Sequence, residues 1–293
     1  MRDEAAMIIT RTRAELASAL DEPAGTTSFG PRGSLGVVMT MGALHDGHAE
    51  LIRQARAECA QVVVTIFLNP LQFGSGEDLA KYPRTFDVDT QLCAAHDVDI
   101  VFAPAPDVVY PDGAPGVRVC AGAMGEVLEG SSRPGHFDGV LTVVAKLLHL
   151  IRPTRAYYGQ KDAQQLLLIR RMVRDLDFDC EVVGVPTVRE PDGLALSNRN
   201  TYLSALDREV ALTLFRALAA GEKAAAEGAS AVRRAARNVL VAEPLCRVDY
   251  LVLVHPDTLD DVPEWYRGEA LLAVAAKVGA TRLIDNALLT IGR

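Results

Sequence analysis

The chain has 293 residues, of which 49% are hydrophobic and 23% charged. This is globular composition, with length enough for two domains or one large one. Its 30 basic residues against 38 acidic ones leave a formal charge of −8. That excludes a nucleic-acid partner held by bulk electrostatics, so an anionic ligand must be met by local charge. Cys59, Cys93, Cys120, Cys180 and Cys246 are scattered and form no CxxC pair. The pattern fits reduced thiols in a cytoplasm better than a disulfide framework or a zinc site.

In chain order, "MRDEAAMIITRTR" alternates charge around a short apolar patch and does not read as a signal peptide. "LGVVMT" (35–40) reads as a strand and "HAELIRQARAECA" as a helix, with Leu51, Ile52, Ala55 and Cys59 on one face. "QVVVTIFLN" (61–69) is a nearly continuous β-branched run, expected of a strand covered on both faces. A helix over Phe86–His96 leads to the strand "VDIVFAP" and a loop rich in Pro and Gly. Next come a helix over Gly139–Ile151, the strand "RAYYG", the helix "QQLLLIRRMVRDL" and the strand "CEVVGVPT". "VLTVVAKLLHLI" is broken by Lys146 and His149, and no segment approaches the roughly 20 apolar residues of a membrane span. Strands alternating with helices predict parallel βαβ units, hence an α/β Rossmann-like doubly wound parallel sheet over 1–187. Beyond Val188 an Ala-rich helix pair (205–243) precedes the strands "VDYLVLV", "ALLAVAAKV" and "TRLIDNALLT". That order predicts a smaller C-terminal α+β domain over 188–293.

In an open α/β sheet, ligands bind beyond the carboxyl ends of the strands, and four unusual stretches follow strand segments. In "TMGALHDGH" (40–48), Gly42 permits a tight turn, and His45 and His48 stand where a helix N-terminus favours anions. The local alternative is a turn with two solvated histidines. No third ligand at suitable spacing supports a zinc site. "NPLQF" (69–73) offers the amides of Asn69 and Gln72, or else is a capped Pro turn. "YYGQKDAQQ" (157–165) puts Lys161 at a strand end with Asp162 able to accept from a ribose hydroxyl, or is a solvated helix start. In "LALSNRN" (194–200), Ser197 and Arg199 can reach one phosphate from a loop, or decorate a polar surface.

Together with "YPRT", "HFDGVLTVVAKLL", "VPTVREPDG" and "TRLIDN", these stretches run in an order that resembles the pantothenate synthetase (pantoate–β-alanine ligase) family of HxGH nucleotide-binding enzymes, over nearly the whole chain. The resemblance implies an ATP-binding Rossmann-type domain, a C-terminal lid and a homodimer. It implies ligation of (R)-pantoate to β-alanine, with ATP cleaved to AMP and pyrophosphate in the presence of Mg²⁺. Carried onto this chain, it lines ATP with Met41, Gly42, Ala43, Leu44, His45, Asp46, Gly47 and His48. Gly159, Gln160, Lys161, Asp162, Val188, Leu196, Ser197, Asn198 and Arg199 complete the nucleotide pocket. His48, His45, Lys161, Ser197 and Arg199 would be catalytic, with His48 the proton donor, while Gln72 and Gln165 would hold pantoate. No protein metal ligand is assigned; Asp89 and Gln91 are candidates at most, and no general base for the amine step stands out. Met39, Gln160, Ala163, Leu196 and Asn198 depart from the usual pattern. The alternatives are an HxGH nucleotidyltransferase that keeps its nucleotidyl product, or an impaired nucleotide-binding homologue.

Overall fold

In the computed structural model, residues 7–21, 33–74, 79 and 82–292 are described. Residues 1–6, on which part of the signal-peptide reading rests, lie outside them. The chain divides into two compact units, one of Met1–Gly159 with Gln164–Val185, the other of Gln160–Ala163 with Pro186–Arg293.

The first unit is built from β1 (Ile8–Thr10), α1 (Arg13–Asp21), β2 (Leu35–Thr40), α2 (Asp46–Glu58), β3 (Gln61–Ile66), α3 (Phe86–Ala95) and β4 (Ile100–Phe102). The short helices α4 (Pro106–Val109) and α5 (Glu129–Ser132) precede α6 (His136–Ile151), β5 (Arg155–Gly159), α7 (Ala163–Asp175) and β6 (Glu181–Val185). Among the described residues its six strands form one parallel sheet in the order β1-β4-β3-β2-β5-β6. The alternating pattern therefore led correctly to a doubly wound sheet. Period-two alternation sends Val37 and Val63 into one layer, with Leu16, Phe137, Leu141 and Leu168. Val38, Val62 and Val64 enter the opposite layer, with Leu51, Ile52 and Ala55 of α2. Both faces of β3 are covered, which is why its sequence is apolar without interruption.

Two local readings are corrected. The apolar patch near the N-terminus is an edge strand, β1, in register with β4 from Ile8↔Ile100 to Thr10↔Phe102. Three residues are too few to show a period, so only the pairing reveals it. The helix expected from Gly139 starts at His136, because Gly135 takes a positive φ of 77° at its N-cap and "HFD" forms the first turn.

The second unit comprises α8 (Ala205–Lys223), α9 (Ala229–Val241), β7 (Cys246–Val254), β8 (Gly268–Val278) and β9 (Thr281–Ile291). The strands form an antiparallel meander, β7-β8-β9. Leu214, Leu218, Val232 and Ala236 of the helices bury one face of it against Leu272, Val274 and Ala276. On the other face Ala163 packs against the cluster of Val254, Leu271 and Ala273.

Candidate active site

In the first unit the strand order reverses between β2 and β5, the position where open α/β sheets bind ligands beyond the strands' carboxyl ends. The loop leaving β2 there is shaped by its own sequence. Thr40 Oγ1 donates to the Thr65 carbonyl at 2.7 Å and accepts from the Gly42 amide at 3.2 Å. Gly42 (φ 85°) and Ala43 (φ 53°) then take left-handed backbone. That conformation disfavours Ala, and Asp89 holds it in place. The Asp89 carboxylate, 1% exposed, accepts from the amides of Ala43 (3.0 Å) and Leu44 (2.8 Å) and from Thr85 Oγ1 (3.0 Å). Asp89 thus faces the loop, and Gln91 is exposed.

His45 is the N-cap of α2 and His48 its third residue, and the two make a reciprocal capping box. His45 Nδ1 accepts from the Gly47 amide at 3.0 Å, and His48 Nδ1 accepts from the His45 amide at 3.2 Å. An imidazole nitrogen that accepts carries no proton, so in the neutral rings Nε2 is the protonated nitrogen of both. The rings lie 4.2 Å apart at 45°. The HxGH spacing thereby places two N–H donors at a helix N-terminus, where the backbone dipole favours anions.

Gln72 joins this loop, its Nε2 lying 2.8 Å from Met41 Sδ. Asn69 sets the orientation of that amide, since its Nδ2 donates to Gln72 Oε1 (3.1 Å) and to the Gly139 carbonyl (3.0 Å). Asn69 Oδ1 accepts from Tyr110 Oη (2.9 Å), whose phenol burial keeps protonated by raising its pKa. His136, absent from the candidate residues, contacts the Gln72 carbonyl through Nδ1 at 2.8 Å and Arg133 through Nε2 at 3.0 Å. A carbonyl only accepts and a guanidinium only donates, so Nδ1 carries the proton.

Of the two adjacent glutamines, Gln165 is half-buried in the first turn of α7. Gln164, not singled out from the sequence, is buried and pins the segment before α5. It donates to the carbonyls of Met124 (2.8 Å) and Val127 (2.9 Å) and accepts from the Glu129 amide (3.0 Å). The available signal was its four-residue spacing from the apolar Leu168 and Met172.

Gly159 ends β5 in the first unit, while Gln160, Lys161 and Asp162 form a 3₁₀ turn in the second. Within that unit, Leu196 N donates to the Val188 carbonyl at 3.0 Å, closing a hairpin-like strap bridged at Arg189↔Ala195. Ser197 caps the turn of Asn198–Tyr202, accepting from the Arg199 amide at 3.2 Å. Arg199 is exposed and donates to the Arg282 carbonyl of β9 at 3.2 Å. The strap is braced by Arg208, paired to Glu190 at 2.6 Å and Asp192 at 2.5 Å. Among the described residues no group of three or more His, Cys, Asp or Glu side chains is placed to hold a metal ion.

Comparison with known proteins identifies the family and supports the fold. The family model described as Pantoate-beta-alanine ligase matches residues 9–288. The chain is 56% identical over 296 residues to "Pantothenate synthetase 4" of Frankia alni, covering 95% of this chain and 96% of that one. It is 59% identical over 258 residues to a pantothenate synthetase of Saccharopolyspora erythraea, covering 87% and 84%. Among solved structures, a pantothenate synthetase from Thermus thermophilus superposes with a TM-score of 0.87 at 48% identity, covering 96% of this chain and 99% of that one. A pantoate-beta-alanine ligase from Francisella tularensis, described as complexed with beta-gamma ATP and beta-alanine, gives 0.75 at 34%, covering 97% and 98%.

Proposed function

The chain belongs to the pantoate–β-alanine ligase family, and from that premise we propose that it joins pantoate to β-alanine, consuming ATP and releasing AMP and pyrophosphate. The observation that carries the reading, beside membership, is the capping box that engages Nδ1 of both His45 and His48 at the N-terminus of α2. Mg²⁺ would enter with the nucleotide substrate, because that ion binds chiefly through phosphates and water with few protein ligands.

In the first step the pantoate carboxylate attacks the α-phosphorus of ATP, forming a C(O)–O–P bond as the bond to pyrophosphate breaks. A carboxylate needs no base for this. The barrier comes from bringing like charges together, so positioning and preorganised donors carry the catalysis. The His45 and His48 Nε2–H groups, the helix dipole, Lys161, Ser197 and Arg199 are the groups proposed to serve the phosphates. His48 acts as a hydrogen-bond donor, since its capping bond occupies Nδ1 and leaves the proton on Nε2. Gln72, oriented by Asn69, and Gln165 hold pantoate. Met41–His48, Gly159–Asp162, Val188 and Leu196–Arg199 border the nucleotide.

In the second step the neutral β-alanine amine attacks the acyl carbon of the mixed anhydride, the amide C–N bond forms, AMP leaves and the amine sheds its proton to solvent. A mixed anhydride is exposed to hydrolysis, which a closed site prevents; the C-terminal domain is the proposed lid. The enzyme is proposed to act in the cytoplasm as a homodimer. The free cysteines support the first point, family resemblance the second. Among the described residues no helix is long and apolar enough to cross a membrane.

Isotopic exchange of pyrophosphate into ATP tests the reading. Exchange that requires pantoate, followed by AMP release only with β-alanine, is expected. Exchange that needs an acceptor other than pantoate, with no AMP released, favours a nucleotidyltransferase, and no exchange with any acceptor favours a non-catalytic homologue. His48→Ala and Lys161→Ala should each slow exchange by about 10²–10³-fold, the usual cost of one preorganised donor. Parental rates in either variant refute that residue's role.

A further inference from the structure

The "TRLIDN" stretch belongs to β9 and supplies none of the side chains proposed above to face a substrate. Its polar pair, Asp285 and Asn286, is nonetheless buried within a largely apolar strand, Asn286 at 8% exposure. Burying an amide is costly unless it is hydrogen-bonded. Asn286 Nδ2 donates to two successive carbonyls, Gln160 O at 3.0 Å and Lys161 O at 2.9 Å. Those carbonyls belong to the two peptide planes that flank the Lys161 Cα. Two planes held at one Cα fix the direction of its Cβ, and so the cone from which the ammonium group can reach.

The same pair reaches the strap. Asp285 receives Arg189 through both oxygens, at 2.6 and 3.0 Å, and its Oδ1 also accepts from the Asn286 amide at 2.8 Å. Arg189 continues to the Gly193 carbonyl at 3.1 Å, with its guanidinium over the Phe215 ring. The next strap residue, Glu190, accepts from Asn200 at 2.8 Å, in the turn that carries Arg199. Arg199 itself rests on the Arg282 carbonyl, on the same strand. One strand thus references both segments that bear Lys161, Ser197 and Arg199.

We propose that Asn286 is a positioning residue for the adenylation step: its amide donates to the peptides on either side of Lys161, and with the Asp285–Arg189 pair it holds Lys161 in fixed register with the Ser197–Arg199 turn. The inference rests on the adenylation reading above. It assigns Asn286 no contact with ATP.

The experiment is pantoate-dependent pyrophosphate exchange by the full-length enzyme, with ATP affinity measured by calorimetry and folding by thermal melts. Asn286→Ala removes the amide, and Asn286→Asp keeps its shape while replacing the donor by an acceptor. Both should lower the exchange rate by about 10–100-fold, the order expected when a catalytic group is misplaced by roughly 1 Å. ATP affinity should stay within about threefold. In a Lys161→Ala background, where there is no ammonium left to place, Asn286→Ala should add less than about threefold. A merely structural residue would instead give losses that multiply across the two sites. Parental exchange in Asn286→Asp, full multiplication in the double variant, or unfolding of both variants would overturn the proposal. Absence of pantoate-dependent exchange in the parent would overturn the functional reading, and this proposal with it.

Discussion

Gly139→Ala sets two physical effects against each other in sign. Gly139 lies in the first turn of α6, where helix propensity alone favours Ala by up to about 1 kcal/mol. The structure opposes the change. A Cβ at Gly139 would lie 2.7 Å from the Gln72 nitrogen and closer still to the Leu71 carbonyl, whereas real Cβ contacts essentially never fall below 3.0 Å. These neighbours are backbone atoms of the turn Pro70–Gln72, so the turn and the helix must separate. Overpacking of this kind costs about 1–3 kcal/mol. Separation also strains the Asn69–Gly139 bond (3.0 Å) and the His136–Gln72 bond (2.8 Å), each contributing on the order of 1 kcal/mol. Set against the propensity gain, the net expectation is a loss of about 1–4 kcal/mol, which lowers Tm by at least roughly 2 °C. Because the displaced turn carries Gln72, kcat/KM for pantoate should fall by about 10²-fold, as for a 1 Å misplacement. The KM for ATP should change much less. Steady-state kinetics with pantoate varied at saturating ATP, beside a thermal melt, read both effects. A raised Tm with kcat/KM for pantoate within threefold of the parent would show that helix and turn relax freely, and the reasoning would be wrong.

Two further outcomes follow from the loop and the thiols. Asp89→Ala leaves the Ala43 and Leu44 amides without their acceptor. With about 1.5–3 kcal/mol for each bond to a charged group, the unfolding free energy should drop by roughly 3 kcal/mol or more, read by urea denaturation. Pyrophosphate exchange should fall with it, because the loop leads into His45 and His48; an unchanged melt would remove Asp89 as the clamp. Burial pushes the Cys93 thiol from 9.0 to about 12, and those of Cys180 and Cys246 to about 12 and about 11, whereas Cys120 is exposed. Since the thiolate is the reactive form, Ellman's reagent at pH 8 should label Cys120 rapidly, and the buried Cys93 and Cys246 only on unfolding. The raised folded values also mean that the thiols' contribution to stability is present below pH 9 and is lost as pH climbs from 9 toward 12. Rapid labelling of Cys93 in the folded protein would contradict its burial.

Whatever is encoded at short range was legible before any fold was known. The β-branched run of β3 and the 3.6-residue period of α2 specify elements whose faces must be covered, and their alternation leaves a parallel sheet as the solution. The HxGH spacing is likewise local: a cap and a third helical residue meet because helix geometry brings them together, whatever the rest of the chain does. Contacts between residues distant in sequence were not legible. That Asp89 clamps a loop 45 residues earlier, or that Asn286 grips a carbonyl 126 residues away, leaves no periodic trace. Neither does the reason for glycine at position 139, which lies in a backbone approach from another segment. Between Gln164 and Gln165, only packing decided which amide braces a buried segment. A sequence states which surfaces must be buried and which polar groups need partners; only the packed chain states which partners they find.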